Sequence, residues 1–156
     1  PYLSVFNIGL AALGIVHIVI GALLFLENFK ARPTRYQVYK NPGGRTVASD
    51  TMPYTGALIF IFVILHLFKF TFTDKSTVPI YQQKAATFAN PIWVVVYVVA
   101  MVIVAVHISH GFWSMFQTLG LNHSSHMALI MKLGLVVTLL FGIGFGILPV
   151  YLLIIA

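Results

Sequence analysis

The sequence predicts an all-α fold, an integral membrane helical bundle with four transmembrane helices, and three observations carry that reading. Hydrophobic residues make up 60% of the 156-residue chain and charged residues 8%, with mean hydropathy +0.97, unlike an ordinary soluble domain. The apolar residues gather into four runs, approximately 3–26, 53–72, 91–116 and 127–155. Each is long enough to cross about 30 Å of hydrocarbon, which takes roughly 20 helical residues. The charges fall mostly between the runs. The net charge is +6, but basic residues in loops between spans read as lipid contacts and orientation signals, not as a nucleic-acid surface. Cysteine is absent, which excludes disulfides, thiolate metal sites and cysteine-attached haem. The first run lacks the basic leader and small-residue cleavage site of a signal peptide. With no internal repeat and no low-complexity segment, residues 1–156 read as a single transmembrane domain.

The first span carries Gly14, His17 and Gly21, and an i−3, i, i+4 set puts both glycines on the histidine's face. Small residues on a membrane helix commonly serve close helix packing; a histidine between two of them also suits a flat ligand lying against the helix. The span closes at Glu27, Asn28 and Lys30. The loop over residues 30–50 holds five basic residues (Lys30, Arg32, Arg35, Lys40, Arg45) and one acid, Asp50, while Pro33, Pro42, Gly43 and Gly44 oppose a continuous helix. By the positive-inside rule this loop is cytoplasmic. It reads as a topology signal in contact with lipid, or as a docking surface for a cytoplasmic partner or for cofactor propionates.

The second span starts near Pro53 and contains one histidine, His66, with Lys69 close enough to the outer end to snorkel. Residues 73–90 are mixed in character, and 78–88 within them are expected to form a short interfacial helix. The third span runs from Pro91 to a rim that includes Trp113, with Trp93 and Trp113 placed as aromatic belts. Its centre is His107. An ionisable residue at hydrocarbon depth is read by default as functional, with a partner to be found. Gly111 lies one turn further on the same face, so imidazole supplies an axial ligand to a porphyrin iron and the missing side chain admits the porphyrin edge. Bis-histidine ligation fits an electron carrier with no open coordination position. The plainer alternative is a histidine hydrogen-bonded to a neighbouring helix.

The loop 118–126 contains His123 and His126 at i, i+3 spacing, but without a carboxylate or third ligand they read as a solvated turn rather than a metal site. The fourth span has no histidine; Gly134, Gly142, Gly144 and Gly146 form a small-residue packing face, and Pro149 marks a kink or the start of fraying.

Depth sorts the histidines. His17 and His107 each lie about ten residues from the inner end of their span, roughly 15 Å at about 1.5 Å per residue, so they share a level and can face one iron. His66 lies nearer the outer surface. His110 is one turn inward of His107, at the wrong level for His17, and is expected to hydrogen-bond near the haem edge. His66 is then left to a ligand from outside the sequence, a further N-terminal helix expected upstream of Pro1.

At this point the chain resembles a family. Ala31-Arg32-Pro33-Thr34-Arg35-Tyr36 with Val38-Tyr39-Lys40, then Leu65-His66-Leu67 before Phe70-Thr71-Phe72, and above all His107-Ile108-Ser109-His110-Gly111-Phe112-Trp113-Ser114 with Phe116-Gln117-Thr118-Leu119-Gly120, resemble the di-haem cytochrome b membrane anchor of succinate:quinone oxidoreductases and fumarate reductases. The likeness is greatest to the single-polypeptide, five-helix anchors of menaquinone-using bacteria, with four of the five helices present. The resemblance implies two b haems stacked across the membrane. The proximal one takes His17 and His107; the distal one takes His66 and a histidine from the helix upstream. Relatives often carry His where Lys69 stands and a basic residue where Asp50 stands, which leaves the distal propionate contacts unassigned.

The expectation is therefore a multi-pass subunit of a bacterial cytoplasmic membrane, part of respiratory complex II. It would pass electrons between an iron–sulfur subunit and menaquinone, while a flavoprotein subunit holds the dicarboxylate site. No residue of this chain is assigned a catalytic role, and the outer end, beside His66, is slightly favoured for the quinone. Two alternatives stand beside it: a cytochrome b anchor of a hydrogenase or formate dehydrogenase, and a small non-haem transporter or assembly factor whose histidines relay protons.

Overall fold

The computed structural model describes residues 2–31, 46–74, 78–121 and 123–155, and every regular element among them is helical. The order is α1 (Tyr2–Ala31), α2 (Val47–His66, prolonged by a π-helical turn Leu67–Thr71), α3 (Ile80–Phe88), α4 (Pro91–Thr118), α5 (Ser124–Leu139, followed by a π-helical turn Leu140–Gly144) and α6 (Phe145–Ile155). Four helical stretches are long and apolar enough to cross a membrane: Tyr2–Ala31, Val47–Thr71, Pro91–Thr118 and Ser124–Ile155. The four spans match the four apolar runs. The short helix anticipated between the second and third spans is α3.

The chain divides into two compact units, residues 1–45 and 46–156. In the first, α1 is an uninterrupted 30-residue helix carrying Lys30 in its last turn, where a cation complements the C-terminal end of the helix dipole. Apart from Ala31, which ends α1, the sequence motif 31–40 and most of the basic loop lie outside the described residues.

In the second unit, local chemistry sets where each helix starts. Hydropathy places the second span at residue 53, yet α2 begins at Val47, because caps and apolar runs report different things. Thr46 accepts the Ser49 backbone N–H at 3.1 Å while Ser49 Oγ accepts that of Thr46 at 3.0 Å, a reciprocal capping box. Asp50 sits in the same first turn, on the side of the dipole that favours an anion. Asn90 caps α4 by accepting the Ile92 N–H at 2.9 Å, with Pro91 in the first turn, where a missing N–H costs no ladder bond. Gly120 closes α4 at φ +68°. Its N–H donates to the Gln117 carbonyl at 3.0 Å and that of Leu121 to Phe116 at 2.9 Å, a Schellman cap that asks for glycine at the left-handed position. His123 caps α5: its Nδ1 lies 3.3 Å from the Ser125 backbone N and 2.8 Å from Ser125 Oγ.

Within this unit α4 is the central helix, packed against α2 on one side and against α5 and α6 on the other, with α3 across α6, α4 and the π turn after α2. Glycine makes the second contact close. A Cβ on Gly142 would lie 2.9 Å from Ala105 Cβ, one on Gly134 3.0 Å from the Phe112 ring, and one on Gly146 3.7 Å from Met101 Cβ. The expected small-residue face therefore exists as three glycines; a Cβ on Gly144 meets nothing within 4 Å. The helix also runs through Pro149, which is buried, and continues to Ile155, so no fraying starts there. The apolar core gathers at the α3 end around Phe70, Phe88, Val94 and Tyr97. Elsewhere large apolar side chains such as Ile61, Val95, Leu135 and Leu140 are exposed, the pattern expected where hydrocarbon rather than water is the surrounding solvent.

Candidate functional site

Two histidines on α2 and α4 occupy two levels of one helix pair. The first level is built on α4 at His107. Its Nδ1 lies 3.1 Å from Thr55 Oγ1 on α2. Thr55 is 8% exposed, and its hydroxyl also lies 3.1 Å from the carbonyls of Thr51 and Met52. The neighbouring Gly56 lets the backbone of α2 approach, since a Cβ there would touch His107 Cε1 at 3.4 Å. Gly111 shares this face of α4, as its spacing from His107 requires, and looks onto the Met52 side chain, 3.4 Å from the position of a Cβ. His107 thus has the interhelical hydrogen bond of the plainer alternative, made through Nδ1, the ring nitrogen that haem ligation through Nε2 leaves for such a bond.

The second level is built on α2 at His66, the last residue before the π turn Leu67–Thr71; such turns recur at functional sites. The Nδ1 of His66 lies 3.3 Å from the Tyr97 hydroxyl on α4. Phe62 and Phe70 flank the ring, with centroids 6.0 and 5.4 Å away, and Tyr97 is itself held edge-on by Phe62 and Phe88, both at 4.9 Å. Although one edge is held this way, the rest of His66 is exposed within its unit. An imidazole turned outward at hydrocarbon depth is costly, so that face needs a polar partner or a ligand.

The contacts Thr55–His107 and His66–Tyr97 lie in one antiparallel register. From one to the other each helix advances about three turns, which separates the levels by roughly 15 Å. The structure therefore keeps His66 and His107 apart, as the depth argument requires. Among the described residues the rings around His66 are Phe62, Phe70 and Tyr97, and neither His110 nor His123 is one of them.

The remaining predicted positions fall as follows. His17 lies on α1 with Gly14 and Gly21 one turn to either side. His110 is half-buried, its ring 6.3 Å from that of Trp113, and Trp113 donates its indole N–H to Met127 Sδ at 3.2 Å, so this belt tryptophan joins α4 to α5. Lys69 places Nζ 4.8 Å from the centre of the Trp93 ring, a cation–π contact that gives the snorkelling chain a definite resting place. His123 and His126 pack with ring centroids 6.1 Å apart, and no group of three or more metal-ligating side chains occurs among the described residues.

Thr55, Gly56 and the His66 partnership of Tyr97 were not legible in the sequence. A threonine and a glycine in an apolar helix look like filler until the register of the facing helix is known. An open groove with about 430 Å³ of space lies at the other end of α4, between its Gly120 cap and α5, lined by Phe116, Leu121, Leu129 and Leu133 and by the side chains of His123 and His126. At the α3 end a smaller one of about 300 Å³ is lined by Pro91, Ile92, Val95 and Val96 alone.

No protein-family model, curated protein or solved structure matches the chain.

Proposed function

We propose that this chain is the cytochrome b membrane anchor of a succinate:menaquinone oxidoreductase or fumarate reductase, resident in a bacterial cytoplasmic membrane. One observation carries the reading: two imidazoles on facing helices, about three turns apart, each held through Nδ1 by a hydroxyl of the opposite helix. That arrangement fits the donor set of b haems, since an imidazole that ligates iron through Nε2 needs its Nδ1 engaged elsewhere to fix the ring. The motif around His107 and Trp113 adds the resemblance to this family.

On this reading His107 and His17 hold the inner haem, with Gly14 and Gly21 leaving room beside His17, while the Met52 side chain occupies the space beside Gly111. His66 holds the outer one with a histidine from outside this sequence. Haem b, if bound at these positions, would supply one-electron chemistry. The chain's own residues hold the ligands, exclude water with the aromatic cluster around Tyr97, and present a basic cytoplasmic loop to the iron–sulfur subunit. The flavoprotein subunit carries the dicarboxylate chemistry. For the quinone, the groove at the His123 end favours the inner side over the outer one expected from depth. It combines apolar walls with two imidazoles able to hydrogen-bond quinone oxygens, whereas the groove at Pro91 has no polar side chain.

The test is a reduced-minus-oxidised spectrum of the purified complex together with identification of its subunits. His17→Ala and His107→Ala should remove the same b-type component, and His66→Ala a different one. Loss of different components from the first pair would break the assigned pairing. A haem-free wild-type protein would favour a transporter or assembly factor, and co-purification with hydrogenase or formate dehydrogenase subunits would move the anchor to those enzymes.

A further inference from the structure

We infer that Thr55 is a positioning residue for His107, fixing the imidazole proton on Nδ1 so that the lone pair lies on Nε2. This rests on the ligand role proposed for His107. The number of protons at Thr55 decides which way the bond runs. A threonine hydroxyl has one proton to give and two lone pairs with which to accept. At Thr55 the carbonyls of Thr51 and Met52 stand at 3.1 Å, and His107 Nδ1 also stands at 3.1 Å. If the hydroxyl donates to its own helix and Nδ1–H donates to Oγ1, both bonds are made. If the hydroxyl donates to Nδ1 instead, the bond to its own helix carbonyls is lost. Thr55 is buried, in apolar surroundings where a forgone hydrogen bond is not recovered from water. The first arrangement therefore prevails.

The backbone reinforces it. Gly56 brings α2 against the Nδ1–Cε1 edge of the ring, where a Cβ would stand 3.4 Å from Cε1 and 4.0 Å from Nδ1, so the ring is located by contact as well as by the hydrogen bond. The pair at the other level differs. Among the described residues the Tyr97 hydroxyl bonds only to His66, at 3.3 Å, so it can donate or accept and imposes no tautomer. The two histidines are thus held by hydroxyls of different consequence: Thr55 dictates a proton position, and Tyr97 adapts to one.

The experiment uses Thr55→Val, which keeps the shape and removes the acceptor, and Thr55→Ser, which restores it. An imidazole whose second N–H is accepted by a neighbour is a stronger donor to the ferric iron. In the assembled complex, Thr55→Val should therefore raise the midpoint potential of the spectral component that His107→Ala removes and leave the other component unmoved. Thr55→Ser should return it to the wild-type value. An unchanged potential in Thr55→Val, with His107→Ala still removing that component, overturns the inference alone. If His107→Ala removes no component, the ligand reading fails instead, and nitrogen NMR of histidine-labelled, haem-free chain in lipid decides the tautomer. Wild-type His107 should then show a protonated Nδ1 and a bare Nε2, with the Nε2–H form gaining in Thr55→Val. A wild-type Nε2–H tautomer, or the same tautomer in both proteins, overturns it. The wild-type spectrum serves even if the valine variant does not fold.

Discussion

Two side chains of one residue type stand in unlike surroundings here, and the difference is set by single neighbours. His107 meets a small aliphatic hydroxyl, Thr55, beside a glycine, whereas His66 meets a phenol inside an aromatic cage of Phe62, Phe70 and Phe88. Tyr97→Phe keeps the cage and removes one hydrogen bond, so it should cost about 1 kcal/mol of stability or less. It should perturb the spectrum of the haem proposed at His66 and not that of the haem proposed at His107; equal perturbation of both would show that the two levels are not separate. The histidines themselves were legible, because ionisable groups are rare at hydrocarbon depth and His107 and Gly111 recur at helical spacing. Their partners were not. Thr55 meets a helix residue 52 positions further along the chain, and only the register between α2 and α4 turns it toward His107.

At the scale of elements, hydropathy marked the spans but not the helices. α2 begins six residues before its apolar run because Thr46 and Ser49 cap each other. Thr46→Ala should therefore cost about 1 kcal/mol, read as a lower unfolding midpoint in detergent, with the haem spectrum unaltered. The packing of α4 against the last span makes a sharper prediction. At Gly142 a Cβ would stand 2.9 Å from the Cβ of Ala105, an atom fixed to backbone and unable to rotate away. Gly142→Ala should then destabilise by about 1–3 kcal/mol, as overpacking does, and Ala105→Gly in the same chain should restore most of it. Gly134→Ala, facing a Phe112 ring that can turn, should cost less. The sequence showed four glycines as one face, but Gly144 stands two residues from both Gly142 and Gly146 and so points about 200° round the helix from them, which is why Gly144 drops out and Gly146 stays.

For the whole molecule, the all-α architecture and the four spans were plain in the sequence because the hydrocarbon constraint is severe: only helices and closed barrels satisfy their backbone there, and continuous apolar runs of about 20 residues or more select helices. Which ends lie on the same side also follows, since three crossings separate the basic loop from the C-terminus. With the loop 30–50 inside, a reporter fused at residue 156 should be active outside the cytoplasm and one inserted at the His123 turn inside it; the reverse pattern would invert the orientation. The assembly around the chain was read from a resemblance in motifs, part of which, residues 32–40, lies beyond the described residues. The central claim is that this anchor conducts electrons between a soluble dehydrogenase and membrane quinone. The measurement that reaches it most directly compares two activities of the intact complex carrying His107→Ala. If the proposed function holds, succinate should still reduce an artificial soluble acceptor, because the proposal assigns that chemistry to partner subunits, while reduction of a menaquinone analogue should be abolished. Quinone reduction at the unmodified rate, in a fully assembled complex without the His107 haem, would contradict the account.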